Sequence, residues 1–129
     1  MSKTPSIMGL HLRYRVWIAE LNHDITLLRI FDDYLKETKE KKISPEIALQ
    51  IKAFKKQFSE HRDLLDDLRH TMHLHKMDLA SEAKQNAVSI KNNAEMDDYQ
   101  IIKDKYAAYR VSFETLYRDF SEFVEQWLQ

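Results

Sequence analysis

The sequence predicts an all-α fold: an antiparallel up-down-up three-helix bundle of long, coiled-coil-like helices. Three observations predict it. Apolar side chains return at steps of three and four residues along most of the chain. One glycine and two prolines in 129 residues leave little of the turn chemistry that sheets and phosphate-cradling loops require. Two polar breaks then divide the chain into three long segments.

The first helix is expected over about 7–42, with a seam of Leu10, Tyr14, Trp17, Leu21, Asp24, Leu28, Phe31 and Leu35. Its end is placed in the lysine-rich run before KKISPE, because cations suit the negative C-terminal pole of a helix. Ser44 is placed as the next N-cap and Pro45 sits at the first helical position, where its missing N–H costs nothing. Glu46 faces the positive end. These signals start a second helix over about 45–84, with the seam Ile47, Ile51, Phe54, Phe58, His61, Leu65, Leu68, Met72, His75 and Leu79. A polar, asparagine-rich stretch follows, in which Asn92 or Asn93 is a candidate cap for a third helix over about 95–128. That helix repeats the pattern with Tyr99, Ile102, Tyr106, Tyr109, Phe113, Leu116, Phe120, Phe123 and Trp127. Among all these seam positions only Asp24, His61 and His75 are neither apolar nor aromatic. Alternating steps of four and three keep one stripe against a partner, and short connections make neighbouring helices antiparallel. The length suits one helical-bundle domain, 1–129.

Composition narrows the function. No cysteine is present, so disulfides, thiolate ligands and a cysteine nucleophile are all excluded. Twenty basic and twenty-one acidic residues give a net charge of −1, which offers no field to draw nucleic acid or anionic lipid. The first residues lack the apolar core of a signal peptide, and no run of about 18 apolar residues exists to span a membrane. A soluble cytoplasmic protein is expected.

Four of the six histidines fall between residues 58 and 75, and angular position decides what they can do. His61 and His75 lie in the seam, whereas His70 and His73 lie on the outer face. Asp66, His70 and His73 share that face at i, i+4 and i+7 and are the candidate metal ligands. A firm site takes three or four converging ligands, so a solvated face is the competing reading. A ferritin-like or hemerythrin-like metal centre would use inward Glu-x-x-His pairs. Glu20–His23 has that spacing and Asp67–His70 resembles it, but neither lies in its helix's seam, and the seams contain only one carboxylate, Asp24. A turn near residues 43–44 sets His61 opposite Asp24, since facing residue numbers would then sum to about 87. A buried Asp24–His61 hydrogen bond is therefore expected, with Glu114 or Tyr117 of the third helix in reach.

The first helix carries a second stripe on nearly the opposite face: Leu12, Val16, Ala19, His23, Leu27, Ile30 and Tyr34. A three-helix bundle does not cover both sides of one helix, and an apolar surface of that length usually marks an interface. Either the two bundle neighbours widen the buried arc, or the chain self-associates through this face, most simply as a two-fold dimer. In that dimer His23 meets its symmetry mate, and acidification weakens assembly by bringing two imidazolium charges together.

Two runs resemble a group of short, uncharacterised bacterial helical-bundle proteins: IKAFKKQFSEHRDLLDDLRHTMHLHKMDLA and DYQIIKDKYAAYRVSFETLYRDFSEFVEQWL. The likeness covers roughly residues 50–128. It lies in the Phe54–Phe58 pair, the LRHTMHLH run and the aromatic last helix ending at Trp127–Leu128. It implies a helical bundle and no particular activity; His70 resembles a recurring position.

No nucleophile–base–orienter set, glycine-rich loop or cofactor motif is present, so no enzyme and no cofactor are expected. The expected function is that of a non-enzymatic interaction or scaffold protein, a homo-oligomer that also suits a helical partner. A metal-binding bundle is the alternative.

Overall fold

The computed structural model describes residues 6–38, 43–84 and 93–128, and in 93–96 only the backbone. Three helices make up the fold: α1 (Ile7–Glu37), α2 (Pro45–Lys84) and α3 (Asn93–Trp127). The Ser6 hydroxyl caps α1 by accepting from the Gly9 backbone N–H at 2.9 Å. The only glycine belongs there for a steric reason, since a Cβ on residue 9 would lie 2.9 Å from that hydroxyl oxygen.

α1 stops short of the expected boundary near residue 42. Thr38 ends it: the buried hydroxyl donates to the Leu35 carbonyl at 2.6 Å, and the Thr38 N–H reaches the Leu35 and Lys36 carbonyls. Nothing in KETKEKK is a strong stop by itself; the last turn tightens, with the Thr38 N–H on the i−3 carbonyl of Leu35 in place of the i−4 bond of an α-helix. Residues 39–42 lie outside the described chain. α2 begins as expected, with the Ile47 N–H on the Ser44 hydroxyl at 3.3 Å. α3 begins at Asn93, two residues before the expected start, and Asn92 lies outside the described residues.

α1 packs closely on α2 and α2 on α3, while α1 and α3 stand further apart and are bridged by long side chains. α1 and α3 run parallel: Arg13 donates to the Tyr99 hydroxyl at 2.7 Å, and Phe31 meets Tyr117 at 5.5 Å between ring centroids. The antiparallel α1–α2 pair is read from Tyr14 against His75, Arg69 donating to Asn22, and Phe31 against Phe58. One hydrophobic core runs the length of the three helices. Aromatic clusters close it at two levels. Trp17 stacks on Tyr99 and Tyr106 towards one end, and Phe31, Phe54, Phe58, Phe120 and Phe123 interlock towards the other. Each such pair adds about 0.5–1.5 kcal/mol beyond area burial.

Every seam residue is buried or half-buried except Trp127, which is 52% exposed in the last turn of α3. Ile7, Ile18 and Ile25 are buried as well, so the inner arc of α1 is wider than one seam. The widening runs along the edge away from the second stripe. No helix among the described residues is long and apolar enough to cross a membrane.

Candidate functional site

The polar centre of the bundle lies between α1 and α3. Asp24 is 2% exposed, and both its carboxylate oxygens are engaged from α3. Tyr109 donates to Oδ2 at 3.0 Å; Arg110 donates to Oδ1 through Nη1 at 3.1 Å and lies 2.9 Å from Oδ2 through Nη2. The same Nη2 reaches the Tyr106 hydroxyl at 3.0 Å, and Tyr106 donates to Glu20. The guanidinium carbon stands 5.3–5.8 Å from the ring centroids of Tyr106, Tyr109 and Phe113, a desolvated cation over aromatic faces. Burial by itself would lower the proton affinity of Arg110. The hydrogen bond and charge of Asp24, with Tyr109 and Glu20 behind them, reverse that and raise it. Burial also holds the Tyr109 hydroxyl well above its ordinary value of 10, and the Asp24 charge and hydrogen bond reinforce the shift against Arg110.

The expected Asp24–His61 hydrogen bond is replaced by two separate arrangements. His61 is 8% exposed and uses Nδ1 on the Gln57 carbonyl and Nε2 on the Ser112 hydroxyl, both at 2.8 Å. A carbonyl only accepts, so Nδ1 carries the proton and Nε2 accepts from Ser112. Two physical reasons account for the difference. The contacting α1–α2 pairs Tyr14–His75, Asn22–Arg69 and Phe31–Phe58 have numbers summing to about 90 rather than 87, which puts His61 about five residues, well over one turn, from the level of Asp24. Asp24 also lies on the α3 edge of the seam, the edge shared by Trp17 and Phe31, and faces away from α2. Glu114 and Tyr117 border the groove above Asp24 without bonding to it. Arg110, Tyr106 and Tyr109 are the partners that sequence reasoning missed. Their signal was present: an arginine directly follows seam Tyr109 in the helix parallel to α1.

Above this network the second stripe of α1 faces outward. Leu12 is 61%, Val16 47%, Ile30 42% and Tyr34 49% exposed; Ala19 and His23 are exposed too, while Leu27 is partly buried against the core. Val16, Ala19 and His23 form one wall of an open groove whose floor is Asp24 and Arg110 and whose far wall is Glu114. A second groove, of about 450 Å³, runs between α2 and α3 on the other side and is lined by Leu64, Leu68, Ile101 and Ile102, with Asp67, Asp98 and Lys105 at its margins.

The outer histidines are set in cationic surroundings. Asp66 is claimed by Arg62 at 3.3 Å and Arg69 at 3.4 Å, so a metal would have to displace two guanidinium groups. His70 and His73 are exposed. The proton affinity of His73 is lowered, first by partial desolvation and then by Lys76, Arg69 and His70. Glu20, of the Glu-x-x-His pair, is occupied by Tyr106. Among the described residues no three His, Asp or Glu side chains cluster closely enough to hold a metal ion. No protein-family model, curated protein or solved structure matches this chain.

Proposed function

We propose that this chain is a non-enzymatic helical interaction protein, a scaffold that self-associates through the outer face of α1. The observation that carries the reading is the line of bulky apolar side chains from Leu12 to Tyr34 left in solvent by the bundle. At 1.5 Å per residue that line is about 33 Å long. An apolar line of this length, with Ala19 and His23 at its middle and Leu27 turned partly in to the core, is more typical of a protein contact than of scattered surface residues.

The state of the buried polar groups supports the non-enzymatic part. Asp24, Arg110, Tyr109, Tyr106 and Glu20 are bonded to one another, and His61 has a partner on each ring nitrogen. A catalytic group needs a free valence towards substrate, and here most are spent internally, Arg110 Nε being the member of the cluster buried without a partner among the described residues. The cytoplasm suits a cysteine-free chain with a balanced, charge-rich surface. A helical protein partner would use the same face of α1.

Sedimentation equilibrium tests the reading. An interface of several hundred Å² per copy is small, so dimerisation is expected at roughly micromolar concentration. The Val16→Lys/Ile30→Lys variant should remain monomeric at the same concentrations with unchanged helicity. A wild-type chain that stays monomeric at hundreds of micromolar would overturn self-association.

A further inference from the structure

We infer that the second copy docks antiparallel, stripe against stripe, about a two-fold axis passing beside His23. The inference rests on self-association through α1 and goes beyond it by fixing orientation and register. Spacing is the first ground. The inner seams step four and three in alternation, but the outer stripe steps 4, 3, 4, 4, 3, 4. The doubled four is a stutter, which locally straightens the path of a stripe, and it falls at His23. Read in either direction from His23 the pattern is the same. A two-fold axis there therefore sets Leu12 opposite Tyr34, Val16 opposite Ile30 and Ala19 opposite Leu27.

Side-chain size is the second ground. The N-terminal half of the stripe holds the smaller residue of each of these pairs, and the C-terminal half the larger. Antiparallel pairing matches small to large in every layer. A parallel pair would leave a gap where alanine meets alanine and crowd the layer where tyrosine meets tyrosine, and close packing disfavours both.

Charge is the third. Arg15 and Asp33 are exposed on the same edge of the stripe, at opposite ends. Antiparallel docking brings Arg15 of each copy beside Asp33 of the other, twice per dimer. In a parallel pair the shared edges lie on opposite sides of the contact, so Arg15 and Asp33 have no partner in each other. The neighbouring cations do not interfere: Arg13 is turned to Tyr99 of α3, and Arg29 lines a cleft against α2 with Asp32 and Lys55.

Because the chain has no cysteine, single-cysteine variants read the geometry directly. Under mild copper-catalysed oxidation, His23→Cys should link to itself. Leu12→Cys should link to Tyr34→Cys when the two are mixed, one carrying an affinity tag, and should not link to itself. At low salt, Arg15→Asp or Asp33→Arg alone should weaken the dimer about tenfold, and the two together should restore it to within about threefold. Leu12→Cys linking to itself would make the helices parallel and overturn the inference. A dimer forming none of these links would also overturn it, while leaving self-association standing on its sedimentation result. A monomer throughout removes both.

Discussion

The two faces of α1 reverse the usual distribution of side chains. Its inner face places a carboxylate, Asp24, in the core, and its outer face leaves Leu12, Val16, Ile30 and Tyr34 in water. The two departures answer to different partners. Asp24 is answered within the chain, by Arg110 and Tyr109 of α3. The outer stripe has no such answer among the described residues. A buried ion pair is also a poor source of stability, because its Coulomb gain must first repay desolvation. Its better-attested use is to specify register. Here it spans the α1–α3 gap, the widest of the three, where apolar packing alone specifies register least.

The largest expected effect breaks the inner face. Arg110→Met leaves a buried, unpaired Asp24 and should cost about 3–5 kcal/mol in urea unfolding. Adding Asp24→Leu should recover most of that loss, because a well-packed apolar pair often replaces a buried ion pair at little cost. A single variant losing less than about 1 kcal/mol would mean that water reaches Asp24.

A smaller effect separates two buried tyrosines. Tyr109→Phe removes a hydrogen bond to a carboxylate and should cost about 1.5–3 kcal/mol. Tyr14 is equally buried, yet its hydroxyl has no hydrogen-bond partner among the described residues. Tyr14→Phe, which removes an unsatisfied buried hydroxyl, should therefore leave stability unchanged or raise it, by up to about 1 kcal/mol. Both hydroxyls are held protonated above their ordinary value of 10, Tyr14 by burial and then by its neighbours Tyr99 and Asp98. The unfolded chain thus loses these protons first as the solution turns alkaline. Stability should be insensitive to these two groups below pH 10 and fall steadily above it, less steeply in either phenylalanine variant. Thermal melts across that range measure the slope.

The smallest effect on stability belongs to the outer face. Val16→Lys should shift the unfolding free energy of the monomer by no more than about 0.5 kcal/mol while weakening the dimer more than tenfold. A large stability loss would mean that the stripe is packed within the bundle, and the contrast between the faces would disappear.

Much of this was legible in the residues. Periodicity located all three helices, and Ser44–Pro45 located the start of α2 to the residue. It also named Asp24 and His61 as buried polar groups, which they are. Their partners were not legible, because a displacement of about three residues between antiparallel helices changes which side chains face each other. The end of α1 was hidden as well, since the tightened last turn at Thr38 has no local residue signature in KETKEKK.

Residue order was enough for three rods, the inward side of each and the apolar line left over on α1. Angular position on a helix follows from residue number alone. Packing of the three rods settled that Asp24 turns to α3, that His61 turns to Ser112 and that α1 and α3 are bridged by aromatic rings and two guanidinium groups. Those outcomes depend on how far apart the rods stand and how they slide past one another, which the packing of all three together determines.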